Sequence, residues 1–194
     1  MTRIISGAAR GRRLAVPPGD GTRPTSDRAR EAMFSALDTT FGGFDGLAVL
    51  DLFAGSGAIG LEALSRGAER VRLVEADRRA SAVIAKNADT VGLKGVTIVT
   101  DRAERAVAQP PADGPYDLVV LDPPYAVPDS DVQGILAALA ANGWLADDAV
   151  IVLERSSRDP EFAWPDGFEP TRSKTYGEAK MLYAVWYVPT APLD

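Results

Sequence analysis

From Leu47 onward, the apolar residues of the chain follow strand-like and helix-like spacings in turn. The short apolar runs of strand length are "LAVLDLF", "VRLVEAD", "VTIVTD", "YDLVVLD" and "AVIVLE". Helical spacing lies between them, at residues 58–66, 78–91, 102–108 and 131–141. Nearly continuous apolar strands that alternate with helices are typical of a parallel sheet covered on both faces. The pattern therefore predicts a doubly wound α/β fold with right-handed crossovers.

Both ends of the chain depart from this alternation. Little more than a turn separates the last two segments, "EPTRSKTY" and "AKMLYAVWYV", which predicts a closing antiparallel hairpin at the sheet edge. At the other end, residues 3–6 and 12–16 have the pattern of two short strands, and a Pro/Gly loop follows them. Thr25 or Ser26 is then predicted to cap a helix that ends near "FGGFDG".

Charge is distributed unevenly along the chain. The net charge is −6, but residues 1–30 carry seven arginines and two aspartates, a net charge of +5, which leaves −11 on residues 31–194. The arginines are Arg3, Arg10, Arg12, Arg13, Arg23, Arg28 and Arg30. They are interleaved with apolar residues and glycines, unlike the charges of a disordered tail. We expect an anion-binding basic module followed by an acidic body, and a solvated tail without function is the alternative.

Two absences from the composition limit the chemistry. The chain contains no cysteine and no histidine, which excludes disulfides, thiolate nucleophiles, Ser/His/Asp triads and Cys/His zinc sites. No segment has the length of a signal peptide's apolar run or the ~20 apolar residues of a spanning helix. We therefore expect a cytoplasmic protein with no membrane partner. No long apolar surface stripe is evident either, so we expect a monomer.

The first predicted strand runs into a glycine-rich stretch, "DLFAGSGAIG". Asp51 ends the strand, and Gly55, Gly57 and Gly60 form a GxGxxG array at the start of a helix. Glycines permit a tight turn and close approach of a ligand, and the helix N-terminus offers free N–H groups. Glu75, at the end of the next strand, is suitably placed to accept hydrogen bonds from ribose hydroxyls. These features fit a dinucleotide site and an S-adenosylmethionine site equally well.

Two carboxylates favour an S-adenosylmethionine site over a dinucleotide site. The carboxylate of Asp51 would repel the negative charge of a pyrophosphate, whereas it would attract the ammonium group of a bound methionine moiety. Asp101, at the end of the third strand, can accept a hydrogen bond from an adenine amino group. Each acid alone has the alternative role of a helix cap, but with Glu75 they occupy successive strand ends, where open α/β sheets bind ligands. A nicotinamide-dependent oxidoreductase is the alternative, and titration with both cofactors separates the two.

The fourth strand ends in "VVLDPPYAV". Pro123 and Pro124 have no N–H donors and a fixed φ, so the strand stops and the chain turns stiffly. Asp122 and the Pro123 carbonyl can then accept both hydrogens of one planar amino group, while Tyr125 stacks on the ring that bears it. The nitrogen lone pair would then point at a methyl group, as in-line displacement on a sulfonium requires. This predicts an N-methylation site, and the alternative is a rigid loop with a partly buried tyrosine.

Several stretches together resemble the RsmD family of class I S-adenosylmethionine-dependent methyltransferases. They are "RIISGAARGRRLAVP", "RPTSDRAREAMFSAL", "DLFAGSGAIGLEALSRGA", the tetrapeptide "DPPY" and "YGEAKMLYAVW", which extend over nearly the full length. The resemblance implies a mostly parallel, seven-stranded, Rossmann-like sheet and S-adenosylmethionine as the cofactor, with no metal. It also implies methylation of the exocyclic amine, N2, of one guanine in 16S rRNA, guanine 966 in the family's rRNA numbering. The substrate would be the small ribosomal subunit or its assembly intermediate.

The resemblance also assigns roles to individual positions. The implied cofactor contacts are Asp51, Phe53, Gly55, Gly57, Glu75 and Asp101, and the implied catalytic residues are Asp122, Pro123, Pro124 and Tyr125. Residues 1–30 would be the RNA-binding module, through its seven arginines, and residues 31–194 the catalytic domain. A DNA adenine or cytosine amino-methyltransferase and a non-catalytic ribosome-assembly protein that binds RNA are the alternatives.

Overall fold

The computed structural model describes residues 2–17 and 27–188. A two-stranded hairpin comes first, with β1 (Thr2–Arg3) and β2 (Arg13–Leu14), and a seven-stranded sheet follows. The strands of the sheet are β3 (Ala48–Leu52), β4 (Arg70–Glu75), β5 (Val96–Thr100), β6 (Tyr116–Leu121), β7 (Leu145–Ser156), β8 (Phe168–Tyr176) and β9 (Ala179–Trp186). The helices are α1 (Asp27–Phe41), α2 (Ala58–Ser65), α3 (Arg78–Val91), α4 (Ala103–Ala106) and α5 (Asp129–Ala141).

The strand order of the large sheet is β5-β4-β3-β6-β7-β9-β8. Neighbours from β5 to β7 are parallel, whereas β9 is antiparallel to both β7 and β8. The doubly wound fold and the closing hairpin predicted from the sequence are thereby confirmed. Because the chain moves outward from β3 in both directions, the carboxyl ends of β3 and β6 flank a switch point, where such sheets bind ligands.

Successive residues of the central strands pack on opposite faces of the sheet. In β6, Leu118 and Val120 join the core under α1, α2 and α3, whereas Val119 and Leu121 join the core under α4 and α5. All four side chains are at most 2% exposed. Burying one such side chain stabilises the fold by about 1.5–3 kcal/mol, which explains why these strands are apolar on both faces.

Residues 2–17, here called the N-terminal hairpin, pack against α2 and α3. The carboxylate of Glu62 in α2 is buried and accepts hydrogen bonds from the backbone N–H groups of Ile5 at 2.6 Å and Ser6 at 2.9 Å. Gly7 approaches α2 so closely that a Cβ there would lie 1.7 Å from the carbonyl oxygen of Ser65. The buried apolar side chains of the hairpin are Ile4, Ala9 and Leu14. The hairpin is therefore a packed part of the molecule.

Helix α1 joins the N-terminal hairpin to the sheet through the core. Met33, Phe34 and Leu37 are buried on its inner side. The predicted caps Thr25 and Ser26 lie outside the described residues. Since α1 continues across residue 30, the division there into an RNA-binding module and a catalytic domain stays a prediction about function. Within residues 2–17 and 27–188, no helix combines the length and the apolar character needed to cross a membrane.

Candidate active site

Four acids that the sequence analysis singled out lie at one edge of the sheet. Asp51 is the penultimate residue of β3 and Glu75 is the last residue of β4, while Asp101 and Asp122 directly follow β5 and β6. The strands are parallel and in register, since Leu52 pairs with both Val74 and Leu121. The structure therefore brings these four positions together along the carboxyl edge.

Asp51 lies beneath the start of α2. Its side chain is 1% exposed and accepts a hydrogen bond from the backbone N–H of Gly60 at 3.0 Å. Burial raises the pKa of Asp51 to about 7, the charge of Glu75 adds to this rise, and the Gly60 hydrogen bond opposes it. Gly60 permits this close packing, since a Cβ there would lie 2.2 Å from the Leu73 side chain. A cation above Asp51 would stabilise its ionised form.

The segment from Phe53 to Gly57, here called the cofactor loop, has an uncommon backbone conformation. Phe53, Gly55 and Gly57 have φ angles of +64°, +57° and +75°. Such angles favour glycine, and a phenylalanine there is held only when the surroundings over-determine it. The Gly55 N–H donates to Glu75 at 2.8 Å, and the Gly57 N–H donates to the Ala54 carbonyl at 2.7 Å. These bonds fix the shape of the loop that leads into the N-terminus of α2.

Glu75 braces the cofactor loop as well as ending β4. One of its carboxylate oxygens accepts from the Gly55 N–H and the other from the Asp77 N–H, each at 2.8 Å. The position of Glu75 at a strand end predicts a ribose contact, but the sequence does not predict this bracing role. The ribose contact itself stays a prediction.

Asp101 occupies the end of β5, just before α4. Its carboxylate accepts from the backbone N–H of Arg102 at 2.8 Å and lies 3.6 Å from the Arg105 guanidinium. Its side chain is 38% exposed, so it is open to a ligand at the edge of the sheet. Its assignment to an adenine amino group stays a prediction.

The tetrapeptide from Asp122 to Tyr125 forms a stiff turn after β6. The Pro124 carbonyl accepts a hydrogen bond from the Val127 N–H at 2.9 Å, which closes the turn. The Pro123 carbonyl accepts no hydrogen bond from residues 2–17 or 27–188. That Asp122 and the Pro123 carbonyl accept hydrogen bonds from an amino group stays a prediction.

Tyr125 presents its ring to solvent and its hydroxyl to the protein. The side chain is 46% exposed, and the hydroxyl donates to Glu154 at 3.4 Å. Burial, together with the negative charges of Glu154 and Asp122, raises the pKa of Tyr125 to about 12. The phenol is therefore neutral at physiological pH, and the exposed ring is free to stack on a flat ligand.

Sequence reasoning missed two residues of β7 that support this turn. Glu154 follows Leu153, the pairing partner of Leu121, so it lies beside Asp122 at the sheet edge. The sequence does contain a signal for Glu154, because this acid ends the apolar run "AVIVLE" as the other acids end their strands. Arg155, the next residue, is 7% exposed and lies 2.7 Å from the Asp129 carboxylate.

Arg155 also donates to the Val127 carbonyl at 3.0 Å, and its Nε lies 3.7 Å from Asp159. The guanidinium thereby connects β7 to the loop after Tyr125 and to the start of α5. The sequence carries no local signal for this clamp.

The predicted RNA-binding arginines divide by their exposure. Five of them have exposed side chains, namely Arg3, Arg10, Arg12, Arg13 and Arg28. Among these, Arg12 has a guanidinium that donates to the carbonyls of Thr90 and of Val91, the latter at 2.9 Å, at the end of α3. Arg23 lies outside the described residues.

The prediction that Arg30 binds RNA is wrong, because this residue is buried. Its side chain is 1% exposed, and its guanidinium donates to the Thr2 hydroxyl at 2.8 Å, to the Arg3 carbonyl and to Asp27 at 3.1 Å. Burial costs a guanidinium its hydration, and these acceptors replace the lost water. Arg30 therefore joins the N-terminal hairpin to α1 and presents no surface for a phosphate.

In the parts of the chain that the structure describes, no group of three or more acidic side chains is arranged to hold a metal ion.

Comparisons with known proteins agree over nearly the full length. The family model described as Conserved hypothetical protein 95 matches residues 2–185. The ribosomal RNA small subunit methyltransferase D of Escherichia coli (strain K12) is 38% identical over 182 residues, 93% of this chain and 88% of that protein. The putative rRNA methyltransferase YlbH of Bacillus subtilis (strain 168) is 36% identical over 180 residues, 90% of this chain and 94% of that protein. The solved structure of putative methyltransferase yhhF from Escherichia coli has a TM-score of 0.84 at 36% identity and covers 96% of this chain and 98% of that chain.

Proposed function

We propose that this chain, which belongs to the RsmD family of S-adenosylmethionine-dependent methyltransferases, methylates the exocyclic amine, N2, of one guanine in 16S rRNA. The guanine would be number 966 in the family's rRNA numbering, presented by the small ribosomal subunit or its assembly intermediate. The Escherichia coli relative is named for ribosomal RNA of the small subunit, which supports this substrate. We also propose that the protein acts in the cytoplasm as a monomer.

One observation carries the proposal. Asp122 and Pro123 directly follow β6 and precede Tyr125, whose side chain is 46% exposed, at the sheet edge that also carries the cofactor loop. Two acceptors next to a stacking surface suit a flat ring with an amino group. A dinucleotide-dependent oxidoreductase has no use for this arrangement.

The residues at the sheet edge fit S-adenosylmethionine. Asp51 is a buried carboxylate with a raised pKa beneath the loop, which suits an ammonium group. Gly55 has open space at its Cβ position, which permits close approach of a ligand, while Glu75 and Asp101 lie further along the edge for the ribose and the adenine. When bound, S-adenosylmethionine would supply a methyl group on its sulfonium, and the amine nitrogen would bond to the methyl carbon as the carbon–sulfur bond breaks and S-adenosylhomocysteine leaves.

The chain's own residues would hold the amine for this step. Asp122 and the Pro123 carbonyl accept its two hydrogens, and the Tyr125 ring stacks on the base. The lone pair is then directed out of the ring plane toward the methyl group, and such alignment accounts for much of the rate. The attacking amine is neutral and becomes acidic once methylated, so Asp122 orients it, and no covalent intermediate or strong base is needed.

Methyl transfer to small subunits tests the proposal. Tritiated S-adenosylmethionine is incubated with small subunits from a strain that lacks the enzyme, and the modified nucleotide is mapped. We expect one labelled nucleotide, N2-methylguanosine in 16S rRNA. Labelling of duplex DNA instead would favour a DNA amino-methyltransferase, and binding to subunits without transfer would favour a non-catalytic assembly protein. Either result would refute the proposal.

Substitution of Asp122 tests the assigned role. Asp122→Ala is expected to lower kcat by about 10²–10³-fold, because the amine loses an acceptor that aligns it. Its affinity for S-adenosylmethionine is expected to stay within about twofold, since the carboxylate faces the amine. The matched control is Asp131→Ala, which removes an exposed acid from α5. Normal transfer by Asp122→Ala would show that the tetrapeptide does not hold the acceptor amine.

A further inference from the structure

Asn87, in α3, has a side-chain amide that bonds to two separate segments of the chain. The residue is 1% exposed. Its Oδ1 accepts from the Ala15 N–H at 2.8 Å, and its Nδ2 donates to the carbonyls of Ala15 at 2.9 Å and Ser56 at 2.8 Å. One buried amide therefore connects positions that lie 72 and 31 residues away from it.

The two segments belong to different parts of the proposed function. Ala15 directly follows β2 and belongs to the N-terminal hairpin, which carries exposed arginines. Ser56 lies in the cofactor loop, between Gly55 and Gly57. Asn87 therefore bridges the proposed RNA-binding surface and the cofactor loop.

The bond to Ser56 matters because of the conformation of the cofactor loop. Three of its residues have positive φ, so bonds from outside the loop must help to hold its shape. Glu75 supplies one such bond, to Gly55, and Asn87 supplies another, to Ser56. The orientation of the Asn87 amide depends in turn on Ala15, which both donates to it and accepts from it.

We propose that Asn87 is a positioning residue through which RNA bound to the N-terminal hairpin raises the affinity of the cofactor loop for S-adenosylmethionine. The inference rests on the proposed function. RNA that neutralises the arginines restrains the hairpin, and a restrained Ala15 keeps the Asn87 amide bonded to Ser56. The loop then has less conformational freedom to lose when the cofactor binds. By linkage, the cofactor strengthens RNA binding by the same factor.

Ser65 provides a matched control. Its hydroxyl accepts from the Ala9 N–H at 2.9 Å and donates to the Ser6 carbonyl at 2.6 Å. These bonds also fasten the hairpin, but they lie in α2 and do not involve the cofactor loop. Ser65→Ala therefore loosens the hairpin without breaking the connection to Ser56.

The test measures the affinity for S-adenosylhomocysteine with and without saturating unmethylated small subunits. For the wild-type chain we expect subunits to tighten binding by about tenfold. Asn87→Asp keeps an acceptor for Ala15 but lacks the amino group that bonds to Ser56. The ratio of its affinities with and without subunits should therefore fall close to one. Ser65→Ala should keep the wild-type ratio. An unchanged ratio in Asn87→Asp, or an equal loss in Ser65→Ala, would overturn the proposal.

A measurement on the wild type covers the case in which Asn87→Asp does not fold. Backbone amide exchange in residues 54–58 is followed with and without subunits, in the absence of cofactor. We expect subunits to slow this exchange, and unchanged exchange would contradict the coupling. Subunits that fail to bind would contradict the proposed function and the inference with it. If subunits bind and are methylated but do not change the affinity of the wild-type chain for S-adenosylhomocysteine, the inference alone is contradicted.

Discussion

Asp51 is the single residue whose protonation couples most directly to the proposed cofactor site. The sequence placed it at a strand end before the glycines, which predicts its position. Its raised pKa arises from burial under α2, where Gly60 allows the helix to approach. That burial depends on how the helix packs on the sheet, so the local sequence does not predict it.

The raised pKa of Asp51 predicts how pH affects stability and binding. Its pKa rises from 3.8 to about 7 on folding, so the folded state holds the proton more tightly and this group's contribution to stability falls as pH rises from 3.8 to 7. A ligand ammonium favours the ionised form. Affinity for S-adenosylhomocysteine should therefore rise about tenfold from pH 6 to pH 8, with proton release on binding.

Calorimetry in buffers of different ionisation enthalpy measures both quantities. Asp51→Asn, which has no proton to release, should bind more weakly and without this pH dependence. A wild-type affinity that does not change over the same range would show that Asp51 does not face the ammonium.

At the scale of elements, the loop between β6 and α5 carries the proposed catalytic turn, and a neighbouring strand holds it. The two prolines predict a stiff turn from the sequence alone. The clamp from Arg155 could not be predicted, because the pairing of β6 with β7 brings this residue to Val127, 28 positions away.

Arg155→Lys tests the clamp. Lysine keeps the charge but cannot bond to Val127, Asp129 and Asp159 together. We expect kcat to fall about tenfold or more because the turn loses its fixed position, while affinity for S-adenosylhomocysteine is unchanged. The free energy of unfolding should fall by about 1–3 kcal/mol, a range reduced because both acids are about one third exposed.

Single-turnover methyl transfer and urea denaturation give the two values. The control is Arg158→Lys, which alters a side chain that is 81% exposed and pairs with Glu178, and it should change stability by less than about 0.5 kcal/mol. An unaltered kcat in Arg155→Lys would mean that the turn holds its shape without the clamp.

At the scale of the whole molecule, an acidic chain presents a basic surface on one face. The net charge is −6, yet the N-terminal hairpin exposes four arginines, Arg3, Arg10, Arg12 and Arg13. The hairpin packs on the sheet face covered by α1, α2 and α3, whereas α4 covers the other face. The exposed arginines of the hairpin therefore lie on one side of the sheet, which favours an orientation with this side toward an anionic partner.

The salt dependence of subunit binding tests this asymmetry. Each phosphate contact contributes about 0.7–0.9 to the slope of log affinity against log salt concentration. Replacing Arg10 and Arg13 by glutamine should lower that slope by about 1.4–1.8. The matched control replaces Arg102 and Arg105, which are exposed at α4, and should change the slope by less than about 0.5. Equal effects of the two double substitutions would refute a binding surface on the hairpin.

The sequence by itself determined the order of the strands and helices along the chain, the closing hairpin and the acids at four strand ends. These features follow from the spacing of apolar residues and from glycine and proline, which act over a few neighbouring positions. Only the tertiary structure decided that Arg30 is buried, that Glu154 and Arg155 support the turn, and that Asn87 connects the hairpin to the cofactor loop. Their partners are tens of residues away and meet them only when the strands pair and the helices pack. A side chain's role there depends on its neighbours in space, and the residue type alone does not reveal it.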